Sequence, residues 1–215
     1  MENIELVRAL TERAKSPMPH QVLVSILKDY LRPNDKINEL VQDGFLSTVK
    51  KGLYIAGPKL NAGRPEPCTL ANVIYGPSYV SLETALSFHG MIPEKVFETT
   101  SMTTKAARRF ETSEGDIYSY TKLPLPYYAY GIEQIRFSNT QTALMASREK
   151  SICDKIVTAP GTLRSVPQAR AFLIENLRVD PAALRDLRRD IITTWIADSP
   201  KRTSLQIFLK TLHKL

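Results

Sequence analysis

Three times in its N-terminal part the chain places apolar residues at helical spacing. In NIELVRALTER, residues 3–13, Ile4, Val7 and Leu10 fall on one stripe with Leu6 beside it; in HQVLVSILKDYL, residues 20–31, Val22, Leu23, Ile26, Leu27 and Tyr30 do the same after Pro19. The third begins at Asn34 or Asp35, good N-cap types, carries Ile37, Leu40 and Val41 at i, i+3, i+4, and stops at Gly44. Then the period changes. Phe45 to Val49 and Leu53 to Ala56 are β-prone runs around Lys50, Lys51 and Gly52, where glycine supplies the positive φ a tight hairpin needs. Three helices followed by a hairpin is the order of a winged helix-turn-helix. Such a domain sets its third helix in the major groove, with the hairpin tip over a neighbouring phosphate backbone.

Beyond Pro58, KLNAGRPEPC breaks the pattern with a glycine and two prolines and reads as a linker. Leu70 to Ile74 and Tyr79 to Val80 read as short strand or turn segments. Ser81 caps a helix over 81–90 that Gly90 ends, and Val96 to Thr103, Asp116 to Leu123 and Gly131 to Phe137 are β-prone, which predicts a mixed sheet. From Ser147 the pattern is helical: REKSICDKIV, PQARAFLIENL, PAALRDLRRDIITTWIA and TSLQIFLKTLHKL, each started or broken by Pro or a Ser/Thr cap. The expected fold class is α+β. A winged helix occupies 1–60, a linker 61–68, and a mixed α/β domain ending in helices 69–215.

Composition narrows the function classes. The 215 residues are 43% hydrophobic and 24% charged, with no low-complexity tract, signal peptide or membrane-length apolar run, so a cytoplasmic chain without membrane contact is expected. Cys68 and Cys153 stand far apart, outside any metal-ligand cluster, and are read as packing residues. The formal charge of +7 permits an acidic partner such as nucleic acid. In the third helix Lys36, Asn38, Glu39, Gln42 and Asp43 are outward. Asn38 and Gln42 suit adenine recognition, Lys50 and Lys51 at the hairpin tip suit phosphates, Lys36 is a further DNA-binding candidate, and Glu39 and Asp43 repel phosphates. The competing reading is a helix-and-hairpin module that docks a protein.

The most specific signal lies in YVSLETALSFHGMIPEKVFETTSMTTKAARRFET, residues 79–112. It resembles the signature of the AbiEi family, antitoxins of type IV toxin-antitoxin systems that act in abortive infection, a phage defence. Ser81, Ala85, Leu86, His89, Gly90 and Ile92 match its first part, and Thr103, Thr104, Lys105 and Arg109 its second. TALMASREKSICDKIV, residues 142–157, looks like a later family helix, with Ala146, Glu149, Lys150 and Asp154 in register. The resemblance implies a winged-helix regulator that binds inverted repeats in operator DNA and represses its own operon, with self-association on DNA left open. It further implies a second domain that counteracts a nucleotidyltransferase-like toxin, with or without a stable complex. The third helix here departs from the pattern in lacking the arginine-rich face of many relatives.

Enzyme chemistry competes weakly. His89 with Ser87, Glu83 or Asp116 could be imagined as a triad, but a histidine just before a helix-ending glycine more often caps the helix. Asp116, Tyr118 and Lys122 imitate a nuclease motif without the second carboxylate that would hold Mg²⁺, and no phosphate loop occurs. The expectation is a non-enzyme with no catalytic residues, cofactor or metal. Its second-domain functional surface would comprise Ser81, His89, Thr103, Lys105, Arg108 and Arg109, with Arg185, Arg188 and Arg189 on a late helix at i, i+3, i+4. A solvated charged face paired with Asp186 and Asp190 is the plainer account of that last trio.

Overall fold

A computed structural model describes residues 3–215. The chain begins α1 (Asn3–Glu12), β1 (Met18–Pro19), α2 (His20–Ile26), α3 (Pro33–Gln42), β2 (Leu46–Lys50) and β3 (Leu53–Ala56), and the three strands form an antiparallel sheet in the order β1-β3-β2. Leu6, Leu10, Met18, Leu23, Leu27, Ile37, Leu40 and Leu46 make its core. The stripe of α1 is therefore Leu6 and Leu10. Ile4, predicted inward, is 79% exposed, because the helix turns its i, i+4 leucine pair into the core instead.

α3 starts two or three residues earlier than its polar caps suggested, with Arg32 at the N-cap and Pro33 in its first turn. It ends at Gly44, which adopts φ +76° while Phe45 N–H returns to Leu40 O at 2.9 Å. Gly57, at the far end of the hairpin, packs so closely that a Cβ there would stand 2.3 Å from Gly44 O.

After a short turn at Pro58–Leu60 and an extended stretch, α4 (Pro67–Ile74) opens the larger unit. From sequence alone Leu70 to Ile74 reads as strand or turn. It is helical because Pro67 starts the helix and Leu70, Ala71 and Ile74 bury one face. There follow β4 (Ser78–Val80), α5 (Leu82–Phe88), β5 (Glu98–Thr103), β6 (Arg108–Glu111), β7 (Ile117–Lys122), β8 (Ile132–Arg136) and β9 (Thr142–Ala146). These strands form one mixed sheet, β6-β7-β5-β4-β9-β8, with β5/β7 and β4/β9 parallel. β9 corrects only the likeness of residues 142–157 to a family helix, since its first five residues are strand and helix follows Ser147 as the pattern predicts. Its alternating burial marks a strand, and helix begins only after the Ser147 cap accepts from Lys150 N–H.

Five helices close the fold: α6 (Arg148–Thr158), α7 (Val166–Arg170) running into a π-helical turn, α8 (Pro181–Arg185), α9 (Arg189–Trp195) and α10 (Arg202–Leu212). The segment read as one helix over 181–197 breaks between α8 and α9. Leu187 is buried there and Arg188 is extended, so that its N–H and Nε reach Glu149 Oε1 at 3.1 and 3.4 Å. Ile192, Trp195, Ile196, Leu205, Phe208 and Leu212 are all core, Cys153 is part of the same core, and Cys68 packs against it.

The β2–β3 hairpin serves both units. Leu46 and Ala56 belong to the N-terminal core, whereas Val49, Leu53 and Ile55 belong to the core of the larger unit. Gly57→Ala should lower stability by about 1–3 kcal/mol through overpacking against the Gly44 turn, read as a lower urea midpoint.

Candidate nucleic-acid interface

Between the start of α3 and the turn of the hairpin lies an open cleft of about 430 Å³, lined by His20, Asn34, Ile37, Asn38, Lys51, Gly52 and Tyr54. Its geometry follows from local bonds. His20 N–H donates to Gly52 O at 2.9 Å, fixing the start of α2 to the hairpin turn, and its ring Nε2 lies 2.8 Å from Asn34 Oδ1. Gly52 takes φ +78°, the backbone state that places Lys51 at the exposed tip. Ile37 is the apolar floor, and the amides of Asn34 and Asn38 supply paired donors and acceptors. An ammonium, two amides and an aromatic ring around a groove can hold a phosphate and read a base edge.

The predicted contact residues separate on the structure. Asn38 and Lys51 share the cleft. Gln42 is exposed at the far end of α3 and does not line it. Lys36 turns to the other flank, where it pairs with Glu39 at 2.5 Å over the Tyr30 ring, and that hydrogen bond is the main reason its ammonium pKa is raised. Lys50 is corrected from the free phosphate contact the sequence suggested: its Nζ donates to Ile74 O at the end of α4. His20, Asn34 and Tyr54 were missed, since nothing in their spacing tells that α2 starts against the hairpin turn.

Around Lys50 a basic cluster continues onto the larger unit. Lys105 Nζ donates to Gly76 O at 2.6 Å and stands 5.3 Å from the Tyr75 ring centre, while the Arg108 guanidinium lies 4.9 Å from that of Phe110 and 6.0 Å from that of Tyr75. Burial, then Arg108 and Lys105, push the Lys50 pKa down. Arg109, next along edge strand β6, faces acids instead, Glu98 at 3.7 Å and Glu111 at 3.8 Å.

Other predicted surface residues are structural. Ser81 and Thr103 are fully buried and are corrected as surface positions. Ser81 is the N-cap residue of α5, yet its hydroxyl donates to Asp154 Oδ2 at 2.8 Å, as does that of Tyr79. Asp154 Oδ1 lies 3.1 Å from Lys150 Nζ, both side chains are fully buried, and that ammonium also donates to Tyr127 O at 2.8 Å. Burial pushes the Asp154 pKa up and the Lys150 pKa down, each opposed by the other's charge. Thr103 donates to Pro77 O and accepts from Lys105 N–H at 3.2 Å, so it shapes the backbone that carries Lys105. His89 is the C-cap of α5 with its ring 2.8 Å from Ala146 O. Arg185 donates to Leu215 O, Arg188 to Glu149, and Arg189 sits on α9, so the broken helix gives the three arginines no common stripe.

Asp116 is held by Arg64 at 2.9 Å, and Arg64 also meets Glu114 at 2.9 Å. Among the described residues no three His, Cys, Asp or Glu side chains gather as a metal site, and no helix is long and apolar enough to cross a membrane.

The fold is similar to the crystal structure of the RV2827C protein from Mycobacterium tuberculosis, with a TM-score of 0.66 at 15% identity, covering 96% of this chain and 75% of that one. At that identity the likeness carries the fold alone. No protein-family model matches the sequence, and no curated protein does.

Asp154→Ala strands a buried ammonium and should cost roughly 3–5 kcal/mol in urea unfolding, whereas the apolar double variant Lys150→Met/Asp154→Leu should recover most of that loss.

Proposed function

We propose that the chain is a DNA-binding antitoxin: a non-enzymatic, cytoplasmic autorepressor whose N-terminal unit is a winged helix-turn-helix and whose larger unit counteracts a nucleotidyltransferase-like toxin. The observation that carries the DNA-binding part is the cleft that brings Asn34 and Asn38 of α3 to face Lys51 across the hairpin turn. The helix-strand-helix-helix-strand-strand order supports reading α3 as the recognition helix and the hairpin as the wing. Lys51, Lys105 and Arg108 would neutralise phosphates over a surface that passes from wing to larger unit, which compensates for the acids Glu39 and Asp43 on α3.

The antitoxin part rests on the resemblance of residues 79–112 and 142–157 to the AbiEi signature. The buried contacts of Ser81, Lys150 and Asp154 support reading that signature as a folding motif whose outer surface does the work. A protein-docking module is the second reading, favoured by the exposed Asp35, Glu39 and Asp43 on or beside α3.

Fluorescence anisotropy on DNA from upstream of the protein's own reading frame, against scrambled DNA over a salt series, tests the proposal. Selective binding is expected, with the salt slope reduced by about one in Lys51→Ala and by up to about two in Lys105→Ala/Arg108→Ala. No preference over scrambled DNA at physiological salt would contradict the repressor and leave the docking module.

A further inference from the structure

We infer that Lys50 is a positioning residue, through which the larger unit sets the pose of the Lys51–Gly52 turn over α3. The inference rests on the reading of the cleft as a DNA site and adds how that site is held.

The register of the hairpin carries the argument. Thr48 pairs with Tyr54 and Lys50 with Leu53, so Val49 is the extra residue of a β-bulge. In an unbulged strand successive side chains point to opposite faces. Here both neighbours reach the same side: Val49 packs into the core of the larger unit and Lys50 Nζ donates to Ile74 O. The acceptor is a carbonyl in the last turn of α4, where the helix leaves its carbonyls without intrahelical partners and the dipole favours a cation. A second tie stands further down the same strand, where Ser113 gives Thr48 O both its N–H at 3.3 Å and its hydroxyl at 3.1 Å.

Lys51 and Gly52 are the two residues between β2 and β3, so whatever fixes Lys50 fixes the tip. Lys50 is held against the nearby like charges of Lys105 and Arg108. Phosphate placed on those two cations would relieve that repulsion, and DNA on the larger unit would thereby tighten the same turn that faces α3.

Lys50→Met keeps the length of the side chain and loses the donor, and Lys50→Arg keeps a donor. On the upstream DNA, Lys50→Met is expected to weaken binding several-fold with the salt slope of the wild type, and Lys50→Arg to restore it. A slope reduced by about one, as in Lys51→Ala, would make Lys50 a phosphate contact and overturn the inference. Unchanged affinity would overturn it equally. Hydrogen exchange without DNA separates this failure from failure of the DNA reading. Lys50→Met should speed exchange of the amides from Lys51 to Leu53 while leaving α10 unchanged, and unaltered exchange at the turn would sink the positioning role whether or not the protein binds DNA.

Discussion

One hairpin has to satisfy two hydrophobic cores, and the arrangement of the whole chain depends on it. Leu46 and Ala56 close the N-terminal helices, and Val49, Leu53 and Ile55 are built into the larger unit. Burying each of those three side chains contributes on the order of 1.5–3 kcal/mol. The partly exposed Arg64 pairs with Glu114 and Asp116 contribute about 0–1 kcal/mol each at most. Hydrophobic docking of the hairpin, and not the ion pairs of the linker, therefore holds the units together.

The larger unit is organised around a different constraint, a fully buried ion pair on α6. Lys150 and Asp154 are tolerable inside only because Ser81, Tyr79 and the Tyr127 carbonyl supply the bonds that water would have supplied. Those partners come from β4, its junction with α5, and the turn before β8, so satisfying two charges fixes four parts of the chain in register. The same requirement keeps the Ser81 hydroxyl from capping its own helix. The outer face of the unit carries charge, and Lys105 and Arg108 stand near Lys50 at the end of β2.

Much of this was legible in the chain. Gly44 and Gly52 marked the end of α3 and the hairpin turn, because a positive φ suits those places, and Pro and Ser/Thr caps marked where the tail's helices start. Legibility failed where tertiary contacts overrode local pattern. A β-prone run from Leu70 to Ile74 is helical because a proline starts it and a sheet covers it. Thr142 to Ala146 was joined to the following helix only by the likeness of residues 142–157 to a family helix, yet it is the strand beside β4, where the Asn72 side chain bonds both the N–H and the C=O of Leu144. At the candidate site, Lys51 and Asn38 were readable from their exposed types. Lys50 was misread because a bulge at Val49 cannot be seen in sequence, and His20 because its role comes from a turn thirty-odd residues away.

The N-terminal unit and the larger unit form one cooperative structure joined through the hairpin. The most direct measurement is a urea titration that follows Trp195, the single tryptophan and a core residue of the larger unit, alongside hydrogen exchange of peptides from α1 to α3. The account predicts one shared midpoint. Loss of protection in α1 to α3 at lower urea, with Trp195 fluorescence still native, would contradict it.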